Sequence, residues 1–189
     1  PEAGASGAVC GRCHDAVRRA FDEGAHGLAL DPKVRPECVT CHGAHSIRET
    51  EAKSLVTSCV KCHRKGSREE MLGADMYREY RNALASIDKA VAMVARADAI
   101  PLPTEDYHAR IRDAREELEG VAMAAHAAKI EAVREAAMRA RSVGDEVQES
   151  VGQKLGLVAE RWLLLAAFWL FTGLLLVVLN RWRSAEKAS

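Results

Sequence analysis

The chain has 189 residues, with 27 lysines and arginines balanced by 27 aspartates and glutamates. This length accommodates one or two small domains, and the balanced charge excludes the strongly basic composition of a nucleic-acid-binding protein. Hydrophobic residues make up 48% of the chain but aromatic residues only 5%. Because alanine dominates the apolar content, the composition favours a mainly α fold over a β-sandwich.

The cysteine spacing is the most informative feature of the sequence. All six cysteines form C-x-x-C pairs followed directly by histidine, as CGRCH at 10–14, CVTCH at 38–42 and CVKCH at 59–63. Two thiols at this spacing can add to the vinyl groups of one haem, and the next residue then presents an imidazole to the iron. Disulfides, or zinc held between C-x-x-C pairs, are the alternatives, but neither requires that histidine. The motifs therefore predict three covalently attached haem c groups, held by Cys10, Cys13, Cys38, Cys41, Cys59 and Cys62.

The histidine that ends each motif is expected to bind the iron, which assigns His14, His42 and His63 as metal ligands. Three haems within so short a segment cannot occupy separate domains, because the segment buries little surface of its own. Its many glycines and its prolines favour loops. We therefore expect residues 1–66 to form one trihaem domain, in which loops wrap haems that supply most of the core.

The three motifs, together with AHG at 25–27 and CHGAHSI at 41–47, resemble the multihaem cytochromes c, especially the class III-like periplasmic ones. The resemblance covers about the first third of the chain. It implies that each iron binds a second, distal imidazole. It also implies that haem is attached outside the bacterial cytoplasm, so the haem domain is expected in the periplasm.

Distal ligands must come from the histidines outside the motifs, and two of these lie close to the motifs in sequence. We expect His26 and His45 to be distal ligands, because haem iron takes imidazoles from chain segments near it. His45 lies only three residues after His42 and cannot comfortably reach the opposite side of the same haem. It is therefore expected to bind a neighbouring iron.

A third distal ligand is expected from the middle of the chain, at His126. This histidine lies in an alanine-rich apolar segment where a haem could dock, and the segment resembles the helix-borne ligand segments of related cytochromes. His108 is the alternative, although charged residues surround it as at a solvated helix start. Methionine ligation by Met71 or Met76 is a further alternative, but all five methionines lie in helical sequence where core packing is expected.

The middle of the chain predicts two long helices. Ser67 begins an S-x-x-E capping box, and no proline follows until the IPLP segment at 100–103. Thr104 then offers a second N-cap, so helices of about 30 and 40 residues should form an antiparallel hairpin within 67–150. We expect its haem-proximal end to cover the haems and donate a ligand, with a simple stalk as the alternative. The apolar stripes at helical spacing are Met76, Tyr80, Ala83, Ile87, Ala90 and Val94, then Ile111, Ala114, Leu118, Val121, Ala125, Ala128 and Ala132.

The C-terminal segment predicts a single transmembrane helix. Residues 162–179 carry no charge, tryptophans lie at 162 and 182, and arginines flank the run. This length suffices to cross the hydrocarbon core. We assign 151–189 to a membrane anchor that spans at about 162–180. The positive-inside rule places the C-terminus in the cytoplasm and the N-terminal domain in the periplasm, which indicates the bacterial inner membrane. Glycines at 144, 152 and 156 are expected to permit a hinge or a break before the span.

Together these features predict an electron-transfer protein rather than an enzyme. The expected protein is a periplasmic, membrane-anchored trihaem cytochrome c subunit. It would pass electrons between a quinone-linked integral membrane redox subunit and a periplasmic electron carrier. The alternatives are a multihaem reductase with an open haem, of the nitrite or hydroxylamine type, or a partner-dependent redox sensor. Four histidines beyond the motifs argue against an open haem, and the few residues after the span leave no room for an output domain.

The haem assignment predicts the result of removing one motif's thiols. Replacing Cys38 and Cys41 with alanine should remove one of the three covalent haems and disturb the fold of the whole N-terminal region, since haems substitute for its core. Intact-protein mass spectrometry measures the haem count directly. Retention of three covalent haems in the double variant would contradict the assignment.

Overall fold

Helices make up most of the described chain, which comprises residues 5–29, 31, 35–43 and 52–188 of a computed structural model. These residues contain no strand, so the predicted mainly α class is confirmed for them. Contacts divide the chain into two compact units, Pro1–Gln148 and Glu149–Ser189. The helices are α1 (Ala5–Cys10), α2 (Asp15–Asp22), α3 (Cys38–His42), α4 (Ser54–Cys59), α5 (Arg68–Asp98), α6 (Glu105–Ala125) and α7 (Ile130–Ala188).

Helix α5 begins and ends where the sequence predicts. Ser67 is its N-cap and accepts a hydrogen bond from the Glu70 backbone N–H at 3.4 Å. The reciprocal bond differs from a standard capping box, because the Glu70 carboxylate accepts from the backbone N–H of Gly66. Of the predicted apolar stripe, only Tyr80 is not fully buried. The buried members are Met76, Ala83, Ile87, Ala90 and Val94.

The second predicted helix is shorter than expected. Helix α6 has 21 residues and ends at its C-cap, His126, so the prediction of one helix of about 40 residues is wrong. The chain breaks there because Ala128 adopts a left-handed conformation with φ 52°. No glycine or proline marks this break in the sequence. At the other end, Thr104 occupies the N-cap position, but its side chain bonds Asp98 rather than capping the helix.

A third helix joins the pair, so the expected hairpin is part of a three-helix arrangement. The first part of α7 packs beside both α5 and α6. Two ion pairs join α6 to α7, Arg110–Glu146 and Arg139–Glu117. Residue numbers rise along one helix as they fall along the other, so α6 and α7 are antiparallel. Small and branched side chains form the interior, where they allow close helix approach. Those that α7 contributes to this interior are Val133, Ala136, Ala137, Ala140 and Val147.

Helix α7 runs from Ile130 to Ala188, so the expected break at the three glycines is wrong, and a hinge there stays a prediction. Gly144 instead allows α5 and α7 to approach closely. A Cβ atom added there would lie 2.6 Å from the Ser86 Oγ and 3.1 Å from the Ser86 carbonyl carbon. Polar bonds reinforce this contact: the Ser86 hydroxyl donates to Asp145 Oδ1 at 2.6 Å, and Gln148 Nε2 donates to the Ser86 carbonyl oxygen at 3.0 Å.

The apolar part of α7 could span a membrane. Among the described residues, this is the one helix that is long and apolar enough, with an 18-residue window of mean hydropathy 2.5. None of that window is buried inside the protein. Exposed apolar surface of this extent is unfavourable in water and is covered by lipid or protein when it persists. The structure is therefore consistent with single-pass anchoring.

The contact at Gly144 predicts opposite effects for two alanine substitutions. Gly144→Ala should destabilise the helical unit by about 1–3 kcal/mol, because the new methyl group collides with Ser86. Gly120→Ala is the matched control: its Cβ meets nothing within 4 Å, so helix propensity alone should stabilise α6 by about 1 kcal/mol. Thermal unfolding followed by circular dichroism measures both. A stabilised Gly144→Ala variant would show that α5 and α7 do not approach as described.

Candidate functional site

Each C-x-x-C-H motif forms a helical turn. The backbone N–H of His14 donates to the Cys10 carbonyl oxygen at 3.0 Å, and that of His63 donates to Cys59 at 2.9 Å. The whole second motif lies in α3. Residues four apart in such a turn lie on one side. Each motif therefore presents its first cysteine and its histidine together, as attachment to one haem would require.

The thiols bring neighbouring motifs together. Cys10 lies within hydrogen-bonding reach of Cys38. Burial raises the pKa of the Cys38 thiol, and Cys10 raises it further. Burial likewise raises the pKa of the Cys59 thiol, with a smaller contribution from Cys41. The second motif thus lies between the first and the third. No disulfide joins any of the six cysteines, and the second of each pair, including Cys62, is exposed.

Two imidazoles from distant parts of the chain meet at the second motif. The ring centroids of His42 and His126 are 6.1 Å apart and their planes differ by 5°. The Nδ1 of His126 lies 2.9 Å from the carbonyl oxygen of Ala122, a geometry in which Nδ1–H donates. The other ring nitrogen, Nε2, is then left with its lone pair. Burial lowers the pKa of His42, with smaller contributions from His126, His14 and Lys61.

A second pair of imidazoles forms at the third motif. The ring centroids of His26 and His63 are 6.3 Å apart, with an interplanar angle of 40°. Burial lowers the pKa of His26, and His63 lowers it further. The ring of Phe21 lies 6.3 Å from that of His26. The other member of this pair, His63, has its Nδ1 3.7 Å from Glu69 Oε2. The histidines meet as pairs, and the described residues contain no group of three or more potential metal ligands.

The remaining predicted ligands are placed differently. His14 is exposed, and it is close enough to His42 to lower that residue's pKa. His45 lies outside the described residues. His108 lies at the start of α6, about 27 Å along the axis from His126. Its Nε2 is 3.2 Å from both carboxylate oxygens of Asp98. The structure therefore brings two of the proposed distal ligands to motif histidines and keeps His108 at the far end of the helix.

The methionines do not all pack in the core, contrary to expectation. Met76 is 3% exposed and lies in the interior of the helical unit, which fits a packing role. Met71 is 58% exposed and Met138 is 65% exposed, because each lies on the outer face of its helix. Met123 is also exposed, so the expectation is correct for Met76 and wrong for Met71, Met123 and Met138.

A carboxylate that sequence analysis did not single out joins the first and second motifs. Glu37 Oε2 accepts hydrogen bonds from the Ser6 hydroxyl at 2.8 Å and from the Gly7 backbone N–H at 3.2 Å. Glu37 also caps α3, in a capping box with Thr40. The signal was present in the sequence as E-x-x-T directly at the start of the second motif.

Close backbone contact holds the turn after α6 against the N-terminal segment. A Cβ atom added at Gly24 would lie 2.5 Å from the carbonyl oxygen of Ala127 and 2.7 Å from its Cα. Only glycine permits this approach without displacing the turn. Because Ala127 directly follows His126, and Gly24 lies two residues before His26, the same contact places both imidazoles.

Comparison of the chain with protein-family models, with curated proteins and with solved structures finds no match. The site must therefore be interpreted from its own residues.

Ala128, in the turn after α6, has a left-handed conformation, so its replacement by glycine should not destabilise the protein as glycine does inside a helix. Ala128→Gly should leave stability unchanged or raise it by up to about 1 kcal/mol, because the cost of alanine at positive φ is removed. Ala92→Gly, on the exposed side of α5, should destabilise by about 1 kcal/mol. Thermal unfolding of the two variants measures the contrast. A loss of stability in Ala128→Gly equal to that of Ala92→Gly would show that residue 128 is helical in solution.

Proposed function

We propose that this chain is a membrane-anchored trihaem cytochrome c that transfers electrons. The observation that carries the proposal is the pairing of motif imidazoles with imidazoles from elsewhere in the chain. The ring of His42 lies beside that of His126 and the ring of His63 beside that of His26, at centroid separations of 6.1 and 6.3 Å. Neither partner belongs to a C-x-x-C-H motif.

The spacing of the two pairs fits an iron between the rings. An imidazole nitrogen binds a transition metal at about 2 Å, and the ring centre lies about 1 Å beyond that nitrogen. Two imidazoles on opposite sides of one iron therefore have their centres about 6 Å apart. The donor set is also suitable, because imidazole is an established axial ligand of haem iron. The residues present thus fit haem at the second and third motifs.

By elimination, His45 is proposed as the distal ligand for the first motif. His42 and His63 already have partners within the described residues, which leaves His14. His45 is close to His42 in sequence, and His14 is close enough to His42 to affect its pKa. His108 has Asp98 as its partner and is assigned no iron.

The side chains around the imidazoles support the same assignment. Haem, when bound, supplies an iron that takes up and releases one electron. A hydrogen bond from Nδ1 to a carbonyl oxygen fixes the tautomer and the ring orientation of a metal-binding histidine. His126 makes this bond to Ala122. A haem held by two histidines would have no open position for a substrate, which supports electron transfer over a reductase reaction.

The proposed location is the bacterial inner membrane, with residues 1–160 in the periplasm and the C-terminus in the cytoplasm. The support is the exposed apolar segment of α7, followed by Arg181, Arg183 and Lys187. Residues 162–179 contain no ionisable side chain, so the segment offers no evident quinone or proton site of its own. A quinone-linked integral membrane subunit is therefore the proposed partner on one side, and a periplasmic electron carrier on the other.

The histidine pairing predicts which variant opens a haem. His126→Ala should give a reduced protein that binds carbon monoxide at one high-spin haem, because the iron at the second motif loses its distal ligand. His108→Ala is the control and should leave the spectrum unchanged, since His108 contacts Asp98 at the end of α5 and no motif histidine. Absorption spectra of the reduced proteins with and without carbon monoxide measure this. Carbon monoxide binding in His108→Ala alone would contradict the pairing, and fewer than three covalent haems in the wild type would contradict the proposed function.

A further inference from the structure

We propose that Glu69 lowers the reduction potential of the iron at the third motif below that of the iron at the second motif. The inference rests on the proposed function, because it concerns haem iron. It adds to that function which of two neighbouring haems gives up its electron more readily, and which residue sets the difference. Glu69 acts through the imidazole of His63 and binds no iron itself, so it is a positioning residue.

The Glu69 carboxylate lies beside the imidazole of the third motif. Its Oε2 is 3.7 Å from His63 Nδ1, a close electrostatic contact that is too long for a hydrogen bond. Both side chains are partly shielded from water, with exposed fractions of 38% for His63 and 46% for Glu69. Because Nδ1 is directed to the carboxylate, Nε2 is the ring nitrogen left for iron. Nδ1 then carries a proton and presents it to a negative charge.

The corresponding contact of the distal histidine at the second motif has no net charge. His126 Nδ1 lies 2.9 Å from the Ala122 carbonyl oxygen. Either contact leaves Nε2 for iron, but a carboxylate partner makes the imidazole a stronger electron donor than a carbonyl partner does. Ferric iron carries one positive charge more than ferrous iron. A carboxylate at the ligand therefore stabilises the ferric state and lowers the reduction potential.

The charges around the two motifs differ in the same sense. Glu69 and Glu70 lie in the first turn of α5, and both add to the effect of burial in raising the pKa of the Cys59 thiol. At the second motif, burial lowers the pKa of His42 and the cation Lys61 contributes to the same shift. Negative charge thus acts at the third motif and positive charge at the second, which separates the two potentials further.

Cations near the third motif oppose this effect but act through solvent. Glu69 accepts a hydrogen bond from the Ser67 hydroxyl and also interacts with Arg68. Arg68, Arg64 and Lys65 are exposed, so water and salt weaken the effect of their charges on an iron. The Glu69 carboxylate contacts the imidazole that would bind the iron, and its effect is therefore the larger.

On the distal side of the third motif, an arginine is separated from the imidazole by an aromatic ring. The Arg35 guanidinium lies over the ring of Phe21, 5.4 Å from its centroid, and the Phe21 ring lies beside that of His26. Arg35 also pairs with Asp22 at 2.5 Å, which offsets its charge. The proximal carboxylate therefore dominates the field along the line of the two imidazoles.

The test measures the potential of each iron separately. Full-length protein in detergent micelles is reduced stepwise, and NMR follows haem methyl signals that are assigned through contacts with the axial histidines of each haem. In the wild type, the third haem should have a lower potential than the second. Glu69→Gln keeps the size of the side chain and removes its charge. It should shift the equilibrium of the third haem towards ferrous iron about threefold to tenfold, or about 28 to 59 mV for a one-electron couple, and change the second haem less.

Two further variants separate the contact with His63 from the general charge at the start of α5. Glu70→Gln removes the neighbouring carboxylate, which accepts the Gly66 backbone N–H and contacts no imidazole of the pair. It should shift the potential of the third haem less than Glu69→Gln does. Glu69→Asp keeps the charge and should retain most of the difference between the two potentials, which loss of side-chain packing alone would not explain.

Several outcomes would overturn the inference while the wild type keeps three covalent haems, which separates its failure from that of the proposed function. A third haem with a potential equal to or above that of the second would contradict the proposed order. Equal shifts in Glu69→Gln and Glu70→Gln would show that the charge of the helix start acts and the contact does not. Loss of a haem or of an axial ligand in Glu69→Gln would show that Glu69 holds the site together rather than setting its potential.

Discussion

The contact between Gly24 and Ala127 is the constraint on which the rest of the site depends. It holds the turn after α6 against the segment between the first and second motifs, at backbone-to-backbone distance. His26 follows one side of this contact and His126 precedes the other. A single close approach therefore sets the positions of two imidazoles that serve different motifs. Any larger residue at position 24 would separate the turn from the motifs and displace both rings together.

Packing among α5, α6 and the start of α7 holds the end of α6 in place for this contact. Helices α5 and α6 bury aliphatic and alanine side chains against the start of α7, so α6 cannot slide along its axis without losing that packing. His126 thus lies at the end of a rigid element, whereas the motifs lie on short helices. Short helices of this size have little stability of their own. Ordered placement of the motifs must come from their contacts with one another, with Glu37 as the bridge between two of them.

The sequence predicts local features well and the meeting of distant segments poorly. Helix α5 is predicted within a residue at each end, because Ser67 and the following prolines are local signals. The break after α6 is not predicted, because Ala128 adopts positive φ only where tertiary contacts impose it. The ring of His126 lies beside the second motif and that of His108 does not, and this placement depends on how α6 returns to the N-terminal segment. The hydrophobic periodicity of the sequence does not predict where the end of α6 meets the N-terminal segment.

The turn after α6 also has a consequence for the order of events during maturation. Thiol addition at a C-x-x-C-H motif is a local event, whereas His126 is separated from the second motif along the chain by the third motif and by helices α5 and α6. Closing so long a loop is slower than forming any single motif turn. On the proposed function, the second motif would therefore carry its haem for a time with one axial position empty. Helix assembly would act as the step that seals this position, converting a reactive precursor into an inert carrier.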